Sequence, residues 1–298
     1  MSRVAVTGAS GLIGSALVEA LEARGDTAVR LVRRAPTQLD EVRWDPTSRT
    51  LDPATLDGVD AVVNLAGAGI ADKRWTTARK REILTSRVDG THALSAAIAA
   101  SGRPVRLVNG SAIGFYGSRG DEVLTEDSPG GTGFTAEVTR AWEASAAPAV
   151  DAGAPVAYAR TGLVMAPNGG AMERVLPLAR LGLGGPLGSG RQFWPWITLV
   201  DEVRALLHLI DHPELTGPVN LVVPLPARQR DFMKALGAAL HRPAVLPAPS
   251  VALRIALGGF ASEVLDSHRV IPTRLETSGF TWEHDSLADT MSWVLSQD

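Results

Sequence analysis

Gly8-Ala9-Ser10-Gly11-Leu12-Ile13-Gly14 is the feature that most restricts what this chain can become. The three glycines stand between an apolar run, Arg3–Thr7, and an amphipathic segment, Leu12–Ala23, with Leu12, Ile13, Ala16, Leu17 and Ala20 on one side. A glycine turn alone matches many loops by chance. Placed directly after a strand and opening a helix, it predicts a phosphate-binding turn. Gly8 permits the tight turn, Gly11 lets the backbone approach a pyrophosphate, and Gly14 allows helix and strand to pack closely. The helix N-terminus then offers free N–H groups to the phosphates, and Ser10 adds a hydroxyl.

The rest of the chain extends that unit. Thr27–Val32, Ala61–Leu65, Val105–Val108 and Pro155–Arg160 read as strands, and Thr76–Ala100 and Phe134–Asp151 as helices. Strands alternating with helices predict an α/β fold, a Rossmann-type doubly wound parallel sheet covered on both faces. After Arg160 the pattern loosens. Gly182–Gly190 is a turn-rich loop, helical patterns return at Asp201–Asp211, Arg228–Leu240 and Leu287–Leu295, and Val219–Val223 reads as a strand. Pro243–Pro249 is proline-punctuated and starts a terminal helical appendage. We therefore expect a dinucleotide-binding domain over 1–165, with sheet elements returning near 196–225. A smaller C-terminal α/β substrate cap and helical extension is expected over 166–298.

The end of the second strand bears on the cofactor. NAD sites usually place Asp or Glu there to hold the ribose hydroxyls. This chain has Leu31-Val32-Arg33-Arg34. Guanidiniums make bidentate, charge-assisted bonds to phosphate, so Arg33 and Arg34 point to a 2′-phosphate and to NADP(H). The bland alternative is a solvated basic loop.

Composition removes other classes. The 298 residues include no cysteine, which excludes disulfides, thiol catalysis and thiolate metal sites. A net charge of −3 gives no case for a nucleic-acid or membrane-surface partner. Met1-Ser2-Arg3 leads straight into the first strand without an apolar targeting segment, so a cytoplasmic location is expected. His208 and His212 share a helix face, but no glutamate lies between them in the metalloprotease pattern, and no metal site is expected.

Several segments together resemble the extended short-chain dehydrogenase/reductases, the epimerase/dehydratase-like enzymes. They are the glycine turn, Asn64-Leu65-Ala66-Gly67, and Ser111 followed by Tyr116-Gly117. Lys73-Arg74-Trp75, Ser86-Arg87-Val88-Asp89-Gly90-Thr91, Arg140-Ala141-Trp142-Glu143 and Trp196-Ile197 are similar to an atypical branch known only as "epimerase family". The stretch from Leu246, with Gly279-Phe280 near its end, is similar to that branch's terminal domain of unassigned function. The resemblance implies that Leu65, Ala66 and Gly67 line the cofactor. It also implies that the backbone at Arg160, Gly162 and Leu163 meets the nicotinamide amide.

In that family a Ser or Thr after the fifth strand polarises the substrate, a Tyr in YxxxK moves the proton, and the Lys supports the Tyr. Ser111 matches the first role, although its gap to Tyr116-Gly117 is one residue longer than usual. At the YxxxK position stand Phe134 and Val138. Neither carries a proton, so the family mechanism does not transfer intact. Tyr116 is the candidate replacement, or else a packing aromatic. Lys73, Arg74 and Trp75 are candidates for holding an anionic substrate, against ordinary loop charges. Arg191, Trp194 and Trp196 are candidates for lining the pocket, against a packed lid. The expected function is an NADP(H)-binding oxidoreductase or epimerase-like enzyme acting on a small-molecule carbonyl or hydroxyl, with a homodimer left open. The alternative is a non-catalytic NADP(H)-binding redox sensor or regulatory protein.

Overall fold

The computed structural model describes residues 1–170 and 172–296. The chain runs β1 (Arg3–Thr7), α1 (Leu12–Ala23), β2 (Thr27–Val32), β3 (Glu41–Arg43), β4 (Ala61–Asn64), α2 (Thr77–Ala100) and β5 (Arg106–Ala112). It continues through β6 (Val123–Leu124), α3 (Phe134–Ala144), α4 (Ala147–Asp151), β7 (Val156–Thr161), β8 (Leu163–Met165), α5 (Met172–Arg180), β9 (Phe193–Trp194) and β10 (Trp196–Thr198). Then come α6 (Leu199–Asp211), β11 (Gly217–Leu221), β12 (Ala227–Arg228), α7 (Gln229–Ala239), α8 (Ser250–Leu257), α9 (Ala261–Leu265), β13 (Arg269–Val270), α10 (Thr273–Thr277) and α11 (Leu287–Ser296).

Seven strands form one parallel sheet in the order β11-β7-β5-β4-β1-β2-β3. The order runs outward in both directions from β1, which opens a crevice at the carboxyl ends of β1 and β4, where open α/β sheets bind ligands. One face is covered by α1 and α6, through Leu17, Leu21, Leu206 and Leu209. The other is covered by α2, through Leu94, Ala97 and Ile98, with Trp44 and Leu56 beside them. A third apolar cluster lies outside the sheet and joins α5, α7 and α11 around Trp194, Trp196, Phe232 and Met291.

Three local differences from expectation have physical causes. Strand β3 is only three residues with charged ends, too short for a periodic signal, yet it pairs with β2 and closes that edge. Strand β5 runs on to Ala112 through Asn109, Gly110 and Ser111, buried positions whose polar groups find partners inside. The expected helix Phe134–Asp151 divides into α3 and α4. Pro148 explains the division, since it lacks an N–H and its ring clashes with the carbonyl four residues earlier.

Candidate cofactor and reaction site

The glycine turn is built for close approach. Gly8 has φ +67°, and a Cβ there would lie 2.7 Å from the Leu65 carbonyl oxygen. A Cβ at Gly14 would lie 2.2 Å from the Gly8 carbonyl oxygen, so only glycine lets α1 pack on the turn. Gly11 caps α1 without any side-chain hydrogen bond, which leaves the first-turn N–H groups, Leu12 and Ile13 included, facing outward. Gly8, Ser10 and Gly11 line a cleft of about 1270 Å³, with Leu65, Ala66 and Gly67 beside them. A dinucleotide fits this cradle on the observations that a Cβ would fill it and that its N–H groups carry no cap.

Arg33, Arg34 and Arg43 line the same cleft at the β2–β3 end. Their states differ. Arg34 is gripped by Glu41, with Nη1 donating to Oε2 at 2.8 Å and Nη2 to Oε1. That fork, with the Thr37 N–H, holds the Glu41 carboxyl down at about 2. Arg34 is thus anchored by Glu41 while its side chain stays exposed on the cleft. Among the described residues Arg33 and Arg43 have no hydrogen-bonded or ion-paired partner, although Arg43 lies close enough to Asp45 to favour its ionised form. Arg43 escaped notice because β3 did.

A buried polar network fixes the loop after β4. Thr7 donates to Asn64 Oδ1 at 2.7 Å and accepts from the Leu65 and Ala66 N–H groups. Asn64 Nδ2 donates to Asn109 Oδ1 and to Thr91, each at 2.8 Å, and Trp142 Nε1 donates to Thr91 at 2.9 Å. Further along, Ser86 accepts from the Ala68 N–H and Arg87 donates to the Ala68 carbonyl. The Ser86–Thr91 motif thus holds cofactor-facing backbone in place. Burial lowers the Arg87 guanidinium to about 10.

A second network underlies the reaction side. Ser111 donates to Glu143 Oε1 at 2.6 Å, and Arg160 forks onto both oxygens of Glu143 at 2.8 and 2.9 Å. Arg160 also donates to the Tyr116 hydroxyl at 3.0 Å, and Tyr116 donates to Asn220 Oδ1 at 2.7 Å. Two expectations are corrected here. The Ser111 hydrogen is committed to Glu143, so the hydroxyl is not an outward donor. Tyr116 is wholly buried, both sides of its hydroxyl are occupied, and burial raises it to about 12. Tyr116 is a packing and hydrogen-bonding residue, not the missing acid. The Arg160 side chain belongs to this network. Gly162 and Leu163 spend their N–H groups on Leu221 and Pro195.

Phe134 and Val138 are in the helix where the missing tyrosine and lysine were sought. Val138 is buried, and Phe134 packs edge-on against Trp75 with centroids 4.9 Å apart. Arg74 donates to the Ile255 carbonyl at 2.9 Å, and Trp75 donates to the Ile70 carbonyl and also meets Phe260. Arg74 and Trp75 therefore clamp the loop after β4 to the C-terminal segment; Arg74 and Lys73 are exposed there. Trp194 and Trp196 are packed in the third cluster, with Nε1 donating to the Val264 carbonyl and to Thr290. Arg191 is exposed, and its carbonyl accepts from Arg228. Trp194 and Trp196 are therefore packed, which corrects the pocket-lining expectation for these two, while Arg191 stays exposed. His208 bonds Ser278 at 2.8 Å, and among the described residues no three metal-ligating groups cluster.

Fold and cradle together define a dinucleotide-binding protein of Rossmann type. The chain belongs to the NAD dependent epimerase/dehydratase family, whose pattern matches residues 4–222, and a domain of unknown function, DUF1731, matches 248–294. It is 47% identical over 295 residues to the epimerase family protein Mb2239 of Mycobacterium bovis, covering 99% of this chain and 98% of that one. It resembles the crystal structure of the human epimerase family protein SDR39U1 with NADPH, at TM-score 0.91 and 33% identity over 99% of this chain and all of that one. It also resembles a nucleoside-diphosphate sugar epimerase from Corynebacterium glutamicum, at TM-score 0.82 and 34% identity over 100% of this chain and 59% of that one. Among the described residues, no helix is long and apolar enough to cross a membrane.

Proposed function

We propose that this protein is an NADP(H)-binding oxidoreductase or epimerase-like enzyme of the atypical extended short-chain type, acting on a small-molecule carbonyl or hydroxyl. The observation that carries the reading is the pair Arg33 and Arg43, which among the described residues make no hydrogen bond or ion pair, at the β2–β3 end of a cleft whose other end is the uncapped glycine turn. Two guanidiniums suit a 2′-phosphate, while of the carboxylates on that end of the cleft Glu41 is taken by Arg34 and Asp45 accepts from Thr47. The human relative crystallised with NADPH supports the choice. When bound, the cofactor supplies hydride; the chain's share is to cradle the phosphates, fix the loop at Leu65–Gly67 and exclude water. Ser111 contributes by tying β5 to Glu143 and Arg160 rather than by touching substrate. In this reading residues 1–165, with the returning α6 and β11, form the cofactor domain, and 166–298 otherwise form the cap. We place the protein in the cytoplasm, with small molecules as partners and no nucleic acid or membrane; a homodimer is to be tested by sedimentation.

A second reading, a redox sensor that binds NADP(H) without turnover, is favoured by Phe134 and Val138. The two readings separate in an assay of NADPH absorbance against a panel of sugar nucleotides, aldehydes and diketones. Cofactor oxidation above the uncatalysed rate with at least one member supports the enzyme. Firm binding with no oxidation across the panel supports the sensor.

A further inference from the structure

We propose that Glu263, carried in by the C-terminal segment, is the proton-transfer group of the reaction site, in place of the tyrosine that α3 lacks. The inference rests on the NADP(H) reading above. Thr135, the residue after Phe134, donates to Glu263 Oε1 at 3.0 Å across 128 residues of sequence. Thr135 also lies against Gly114, where a Cβ would come within 3.1 Å of the Thr135 Cβ. Gly114 follows the carboxyl end of β5. The strand order puts β2 and β3, with Arg33 and Arg43, on one side of the glycine turn and β4, β5 and β7 on the other. A dinucleotide whose 2′-phosphate meets those arginines extends its other half toward β4 and β5, the side on which Glu263 is held.

The carboxyl is poised for the task. It has no cationic partner among the described residues, and its one hydrogen bond is to Thr135. Glu263 is part-buried. Burial raises the group to about 7, midway between donor and acceptor at neutral pH. The charge that acts on it is Asp266, of like sign; Arg254 acts on Asp266, and from α3 the Thr135 hydroxyl donates to it. The segment is pinned in place by Arg74 on Ile255 and Trp75 on Phe260. In carbonyl reduction, Glu263 gives its proton to the carbonyl oxygen while the carbonyl carbon gains hydride from the dihydronicotinamide. The products are an alcohol, the oxidised cofactor and the Glu263 carboxylate, which water reprotonates.

The test needs no substrate. The oxidised nicotinamide is a cation and the reduced ring is neutral, so an ionised Glu263 beside it favours NADP⁺ alone. Dissociation constants for NADP⁺ and NADPH are measured by calorimetry between pH 5.5 and 8.5, and their ratio is taken so that titration of the shared 2′-phosphate cancels. We expect the ratio Kd(NADP⁺)/Kd(NADPH) to fall by on the order of tenfold as pH rises through 7. Glu263→Gln should keep NADPH affinity and melting temperature near wild type and flatten the ratio. A ratio that is flat in the wild type, or as steep in Glu263→Gln as in the wild type, overturns the proposal. Failure of both cofactors to bind overturns the NADP(H) reading and this one with it, which distinguishes the two.

Discussion

Glu202 offers a prediction whose size follows from the structure. It sits on α6, wholly buried, with Thr161 donating to Oε1 at 2.8 Å and Oε2 without a partner. Burial raises the carboxyl from the usual 4.5 to about 8, against the pull of the Thr161 bond. Between those values the native chain holds a proton that the unfolded chain has released. The native state therefore binds more protons, and stability falls as pH rises from about 4.5 to about 8. At ~1.4 kcal/mol per pH unit, the loss attached to this group grows from roughly 2 kcal/mol at pH 6 to roughly 4 at pH 8. Glu202→Gln keeps the shape and the bond from Thr161 and cannot ionise. Urea unfolding of both proteins at pH 6, 7 and 8 should show the variant gaining on the wild type by about 2 kcal/mol across that range. A wild-type-minus-variant difference that stays constant with pH would refute the reasoning, since it would mean that Glu202 does not change its proton between native and unfolded states there.

Gly11→Val should abolish NADPH binding by calorimetry while the protein still folds. Gly14→Ala should fail earlier, with loss of soluble folded protein, because its Cβ would meet the Gly8 carbonyl at 2.2 Å. Equal behaviour of the two variants would contradict the division of roles. Tyr116→Phe should leave NADPH affinity unchanged and lower stability by about 1–3 kcal/mol, since it strands Asn220 Oδ1; weakened cofactor binding without loss of stability would restore Tyr116 to the site. Arg160→Met should cost about 3–5 kcal/mol in urea unfolding by leaving Glu143 charged and buried without its partner, and a loss below 1 kcal/mol would show that the pair is not a structural anchor.

The first βαβ unit was readable because its information is local: an apolar strand, three glycines and an amphipathic helix lie within residues 3–23. The direction of the sheet followed from the same alternation. The site was less readable where side chains meet across long separations. Arg33 and Arg34 look equivalent in sequence, and only the position of Glu41, on a strand too short to recognise, gives Arg34 an ion pair that Arg33 lacks among the described residues. The fate of the Tyr116 hydroxyl depends on Asn220, 104 residues away. Trp194 and Trp196 flank a proline beside a glycine loop, which suits a pocket wall or a packed lid equally well until α7 and α11 are seen to cover them. No local pattern marks Glu263, which lies on a five-residue helix and acquires its setting from Thr135 and the burial around it. Polar residues inside β5 were misread as the end of the strand because a satisfied buried network carries no hydrophobic signal.

The central proposal is that Arg33 and Arg43 select the phosphorylated cofactor. NADPH and NADH titrated by fluorescence into the wild type, Arg33→Ala, Arg43→Ala and the double variant test it most directly. Charge-assisted bonds contribute roughly 1.5–3 kcal/mol each, so each single change should weaken NADPH by about ten- to a hundredfold and leave NADH nearly unaffected. The double variant should bind the two cofactors alike. Equal affinity of the wild type for NADPH and NADH, or losses in the variants that fall equally on both cofactors, would contradict the account.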